Sequence, residues 1–171
     1  MKKILIILAL ICAGIIPAAA QKFAMIDMEY VLRNVPAYDM ATEQLNQTSQ
    51  VWERELNKAQ AEAEALYKQY QNDMVFLTDE QKKKREEAVV AKEKEVTELR
   101  YKYFGPEGEL FKKRQALMQP IQEDVYNAVK AVATEQGLQA VFDRASSQSI
   151  VFASPRIDIS NDVLAKLGYS K

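Results

Sequence analysis

72-NDMVFLTDEQKKKREE-87 is the stretch at which the fold is decided, because it reads as a turn inside an otherwise unbroken helical region. Thr78 followed three residues later by Gln81 fits a capping box that opens a helix. Asn72-Asp73 weakens the end of the helix before it, since short polar side chains compete for backbone hydrogen bonds. The turn is therefore predicted near Leu77-Thr78-Asp79. It sits between an apolar run, Met74-Val75-Phe76-Leu77, and a basic one, Lys82-Lys83-Lys84-Arg85.

On either side the sequence favours helix. From Ala37 to Gln136 there are two glycines, Gly105 and Gly108, and two prolines, Pro106 and Pro120, among abundant Ala, Glu, Lys, Gln and Leu. Before the turn, Leu45, Trp52, Ala59 and Leu66 recur every seven residues, with Leu56, Ala63, Tyr70 and Leu77 in the complementary position. After it, Val89, Val96 and Tyr103, with Leu99 between, continue the pattern. Phe111, Met118, Val125 and Val132, with Ile121 and Ala128 interleaved, carry it to Gln136. This is coiled-coil spacing with a narrow, alanine-rich seam. Two such helices bury their stripes by pairing antiparallel, which predicts a helical hairpin arm over 37–136. Arms of some 40 to 50 residues would reach roughly 60 to 75 Å at 1.5 Å per residue, beyond the diameter of a small globular domain.

The returning helix is interrupted at 104-FGPEGE-109, where a proline removes a donor and two glycines relax the backbone. The seam changes phase there, which predicts a break near 104–109, with Pro120 as a milder kink. The segment lacks Gly-Lys-Ser/Thr and a preceding strand, so it does not read as a phosphate loop.

The chain ends read differently. Phe23-Ala24-Met25-Ile26 predicts a short strand, and Asp27 a cap for a helix beginning Met28-Glu29-Tyr30. After Gly137, Leu138 to Asp143 and Ser149 to Ala153 predict two strands joined by a polar loop over Arg144 to Gln148. Ser160 is expected to cap a last helix, Asn161 to Leu167, ended by Gly168. Residues 21–36 and 137–171 thus form one β body at the base of the arm. The fold class is mostly α with a small β body. Three short strands make too small a core to stand alone, so oligomerisation is expected.

The first twenty residues have the order of a secretory leader: Lys2-Lys3, an apolar run from Ile4 to Ile16, then Pro17-Ala18-Ala19-Ala20. Cleavage is expected after Ala20. The apolar run is short for a membrane span, and Ile11 before Cys12 argues against a lipoprotein site. The mature chain would hold neither cysteine nor histidine, and its 21 basic residues against 24 acidic ones leave about −3. That charge argues against nucleic acid as a partner. Lacking histidine and cysteine, the mature chain has no Ser-His-Asp or Cys-His arrangement and no ordinary zinc site. Carboxylate pairs such as Asp79-Glu80, Glu86-Glu87 and Glu123-Asp124 read as solvated faces and helix-end charges, and Asp27 with Glu29 as a cap and a first-turn acid. No enzymatic activity, metal or cofactor is expected.

The leader, the strand within 22-KFAMIDMEYVL-32, the long charged hairpin and the tail 137-GLQAVFDRASSQSIVFASPRIDISNDVLAKL-167 together resemble the Skp/OmpH family of periplasmic chaperones. Val141-Phe142-Asp143 and Asp158-Ile159-Ser160 carry the most specific part of the likeness. It implies a homotrimer whose strands form a common body, from which three arms extend and enclose a cavity. It also implies a periplasmic, ATP-independent holdase for unfolded outer-membrane β-barrel proteins. On that account Phe23, Met25, Ile26, Val141, Phe142, Ile150 and Phe152 are trimer-body residues, a structural role.

Met74, Val75, Phe76 and Leu77 are then candidate client contacts at the tip. Lys82, Lys83, Lys84 and Arg85 are candidates for meeting acidic client segments or anionic lipid headgroups. Two features depart from the family pattern: the best-known relatives are strongly basic, and the Phe-Gly-Pro-Glu-Gly break is prominent here. The rival reading is a structural coiled-coil spacer or adaptor of the cell envelope with one dedicated partner.

Overall fold

The computed structural model describes residues 22–147 and 149–169. The expected leader and its expected cleavage site lie outside the described residues. Strand β1 is Phe23–Ile26, followed by helix α1, Met28–Arg33, and helix α2, Pro36–Asp73. Helix α3, Asp79–Phe104, and helix α4, Glu109–Gln136, return the chain to strand β2, Ala140–Asp143; helix α5, Ser160–Lys166, closes the fold. The architecture is mostly helical, with a small two-stranded sheet at the base of a long hairpin. No helix among the described residues is long and apolar enough to cross a membrane.

The arm forms because its local signals agree. Pro36 opens α2, where a missing N–H costs nothing. At the far end a short 3-10 turn, Met74–Phe76, leads through an extended Leu77 to Thr78. Thr78 and Gln81 exchange side-chain and main-chain hydrogen bonds as a capping box, and Asp79 and Glu80 place negative charge on the positive end of α3. The break depends on close approach: a Cβ on Gly105 would lie 2.4 Å from the Tyr101 carbonyl oxygen, and one on Gly108 2.9 Å from that of Tyr103. Helix α4 continues through Pro120. It ends at Gly137, whose φ of 65° lets the Leu138 N–H reach back to the Ala133 carbonyl at 2.8 Å.

In the body, β1 and β2 pair in parallel, Phe23 opposite Ala140 and Ile26 opposite Asp143. Parallel neighbours require a crossover connection, and here the crossover is the entire arm. On its other edge β1 accepts a main-chain hydrogen bond from Ile159 to Met25 at 2.9 Å and pairs at Asp158. The core beneath combines Ala24 and Ile26 of β1 with Val31, Val35, Ile121, Val125, Ala128, Val132, Ile159, Val163 and Leu164. Val31, Val125 and Val163 are completely enclosed.

Three expectations are corrected. Ser149–Ala153 is not a strand in this chain. Among the described residues nothing pairs with its expected neighbour, the outer edge of β2, and Val151 is 99% exposed. A strand needs a partner ladder, and no described residue of the chain supplies it. Ser160 is the first residue of α5 rather than its cap; its hydroxyl accepts the Asp27 N–H at 2.9 Å, and the Asp158 carboxylate accepts the Ser160 N–H at 2.9 Å. Phe111, assigned to the seam, is half exposed, because the chain has only just re-entered helix after the break.

Candidate interaction surfaces

The tip leaves its apolar residues in solvent. Val75 is 76% and Phe76 86% exposed, Met74 is exposed, and Leu77 is half-buried against the hairpin end. A 3-10 turn spreads consecutive side chains around its axis, so a two-helix seam can cover only one of them. Just below, the Tyr70 hydroxyl donates to the Glu86 carboxylate across the two helices, a bond that raises the tyrosine's pKa. The basic run is partly neutralised on its own helix: Lys82 lies 3.7 Å from Asp79 and Lys84 3.1 Å from Glu80. With Asp73, Glu86 and Glu87 also present, five acids surround four bases. The tip carries no excess of positive charge.

Along the arm, Lys92 reaches Glu62 at 2.7 Å across the hairpin and Glu95 at 3.0 Å on its own helix. The hydrogen bond from Lys92 lowers the Glu62 pKa, and those bonds raise that of Lys92. Nearer the body, the Trp52 ring stacks on Tyr103 with centroids 4.9 Å apart and planes 3° from parallel. The Tyr103 hydroxyl donates to Glu55 at 2.9 Å, which raises its pKa.

The body joins the two ends of the chain through polar side chains. Arg144 lies 3.1 Å from Asp27 and 3.3 Å from Asp158, and Asp27 also caps α1 by accepting the Tyr30 N–H at 2.8 Å. Asp143 accepts the N–H groups of Met28 at 3.1 Å, Ala145 at 3.0 Å and Ser146 at 3.2 Å. Burial by itself would raise the Asp143 pKa. The hydrogen bonds from Ser146, Met28 and Ala145 outweigh burial and leave it lowered. Asp143 and Asp158-Ile159-Ser160 stood out in the sequence as a pattern, but their joint role did not, since the contacts span more than a hundred residues.

The remaining body candidates divide by face. Ile26 is buried, while Met25, Val141 and Ile150 are half-buried. Phe23 and Phe142 meet edge-to-face at 6.2 Å yet stay half exposed. Phe152 is 83% exposed. Phe23 and Phe142 sit on the paired strands, while Ile150, Val151 and Phe152 line a shallow pocket with Asp27, Glu29 and Arg144; among the described residues no strand pairs with the outer edge of β2. Among the described residues, no group of acids, histidines or cysteines is arranged to hold a metal.

A family model described as outer membrane protein (OmpH-like) matches residues 22–167, which spans both the body and the arm. The chain belongs to the OmpH-like family. Among solved structures, the OmpH-like chain is similar to a Caulobacter crescentus CB15 protein assigned as an OmpH-like outer membrane chaperone. The TM-score is 0.68 and the identity 14%, over 87% of this chain and 85% of that one. At that identity the likeness concerns the fold. No curated protein sequence matches the OmpH-like chain significantly.

Proposed function

We propose that this OmpH-like chain is an ATP-independent periplasmic holdase that binds unfolded outer-membrane β-barrel proteins between helical arms. The observation that carries the reading is the exposed Met74–Phe76 turn at the end of a long hairpin. Large apolar side chains held away from any core are suited to transient apolar contacts. Methionine and phenylalanine on a slender arm meet varied partners better than a shaped pocket does. The charge balance of the tip favours client contact over an electrostatic hold on anionic lipid.

Assembly follows from the body. A β2 edge that no described strand covers, with exposed Phe142 on that strand and exposed Val151 and Phe152 in the segment that follows it, invites pairing with another copy. In a homotrimer, Ile150–Ala153 of one protomer would gain a partner strand, and the arms would surround a common cavity. On this reading the leader directs export and is removed after Ala20, so that the working chain begins at Gln21.

The test mixes Gln21–Lys171 with an outer-membrane β-barrel protein diluted from denaturant and measures soluble mass by light scattering. A soluble particle of three chains and one client is expected. An aggregated client beside an unchanged oligomer would overturn the holdase reading and favour an envelope spacer.

A further inference from the structure

The distal hairpin has a groove along one face. Ala63 of α2 and Val96 of α3 belong to a small core of that hairpin, separate from the core of the body, and both also line a cleft of about 260 Å³ between the helices. The cleft exists because the seam is thin there: alanine at 59 and 63 fills little space opposite Val96. Its walls follow from helical spacing. Gln60 and Tyr67 stand three residues before and four after Ala63, and Glu93 and Arg100 hold the same places about Val96, so each pair shares the groove side of its helix. Tyr67 is 47% exposed, an aromatic wall open to solvent. The volume falls below the roughly 300 Å³ at which small-molecule sites begin, so the groove suits one large side chain of a passing segment.

The charges around it are unbalanced. Elsewhere on the hairpin Lys92 joins both Glu62 and Glu95. Glu64 and Glu93, which line the groove, pair with no basic group among the described residues, and Glu64 accepts only the Gln60 amide at 3.4 Å. Two acids thus face Arg100 alone, on an arm whose outgoing helix α2 carries seven acids and three bases. Unpaired carboxylates beside an apolar floor and a tyrosine ring complement a cation carried next to a large apolar side chain. A second copy offering the same face would set acid against acid.

We propose that this groove is a client subsite for extended segments in which a Lys or Arg flanks a large apolar residue. The apolar side chain enters between Tyr67 and the floor of Ala63 and Val96, and the cation lies against Glu64 and Glu93. The inference rests on the holdase reading and adds a charge preference to it, which the apolar Met74–Phe76 turn does not supply.

The chain Gln21–Lys171 is titrated with two labelled peptides, otherwise identical Gly-Ser chains with Lys-Phe-Lys or Glu-Phe-Glu at the centre, and binding is read by fluorescence anisotropy. The Lys peptide is expected to bind about fivefold more tightly, the scale of one or two exposed ion pairs, and the gap to close as salt screens it. Glu64→Gln with Glu93→Gln is expected to abolish the gap and leave the helical signal unchanged. Glu43→Gln with Glu123→Gln removes the same charge outside the groove and is expected to leave the gap intact. Equal binding of the two peptides, a preference for the Glu peptide, a gap that persists in the groove variant, or one lost equally in both variants would overturn the proposal. Light scattering of the same chain with a denatured outer-membrane β-barrel protein separates the two readings. A client held in solution beside equal peptide binding sinks the groove alone, whereas an aggregated client sinks the holdase reading.

Discussion

The Asp143 carboxylate accepts the main-chain N–H of Met28 at 3.1 Å, tying the end of β2 to the first turn of α1 across 115 residues of chain. The arm is inserted between these two points, so this bond closes the base from which it projects. Replacing Asp143 with alanine strands the part-buried Met28 N–H, leaves the exposed Ala145 and Ser146 N–H groups to water, and is expected to cost roughly 1–3 kcal/mol, read as a lower urea midpoint.

The same carboxylate sets an acid response. Its folded pKa lies below the ordinary 3.8, so the stability it contributes is fully present above about pH 4 and is lost as pH falls through the folded value. Asp143→Asn cannot titrate. It is expected to be less stable at pH 7 and to show a shallower decline between pH 4 and 2, measured by thermal unfolding across that window.

Val163 has no solvent exposure and packs α5 into the body core. Val163→Ala removes two buried methyl-sized groups and leaves a cavity, an expected loss of roughly 2 kcal/mol. Unfolding should show that loss in the body, while helical signal from the distal hairpin persists to higher denaturant. A single coincident transition would mean that the two cores unfold as one.

Phe76 has no packing role in the chain, so Phe76→Ser is expected to leave the melting temperature and oligomer mass unchanged. If the tip grips clients, affinity for a denatured β-barrel protein should fall severalfold by fluorescence titration. An unchanged affinity would move client contact away from the tip.

Phe142 is half exposed on β2, whose outer edge no described strand covers. Phe142→Asp is expected to shift sedimentation from an oligomer to a single chain by placing charge on that strand. Retention of the oligomer would locate the interface elsewhere.

Much of the arm was legible before any coordinates. Heptad spacing, the Thr78–Gln81 box and the Gly105–Gly108 break are local signals, each acting within a few residues, and local signals survive translation into structure. Phe111 shows the limit: its spacing matches the seam, but one turn after a break the helix has not yet regained its partner.

The base was less legible. Apolar, β-prone Ser149–Ala153 reads as a strand, yet a strand is completed by whatever lies beside it, and no described residue of the single chain pairs with it. Ser160 is a good capping residue by type, but its hydroxyl is committed to Asp27, 133 residues away. The sequence by itself determined the periodic, locally encoded parts: a long hairpin, its turn, its break and the two ends that must meet. Only the tertiary structure decided how those ends interlock through Asp143, Arg144, Asp158 and Ser160, and where the arm's packing thins. Hydrogen-bond partners and core continuity depend on distances in space, which a spacing along the chain does not contain.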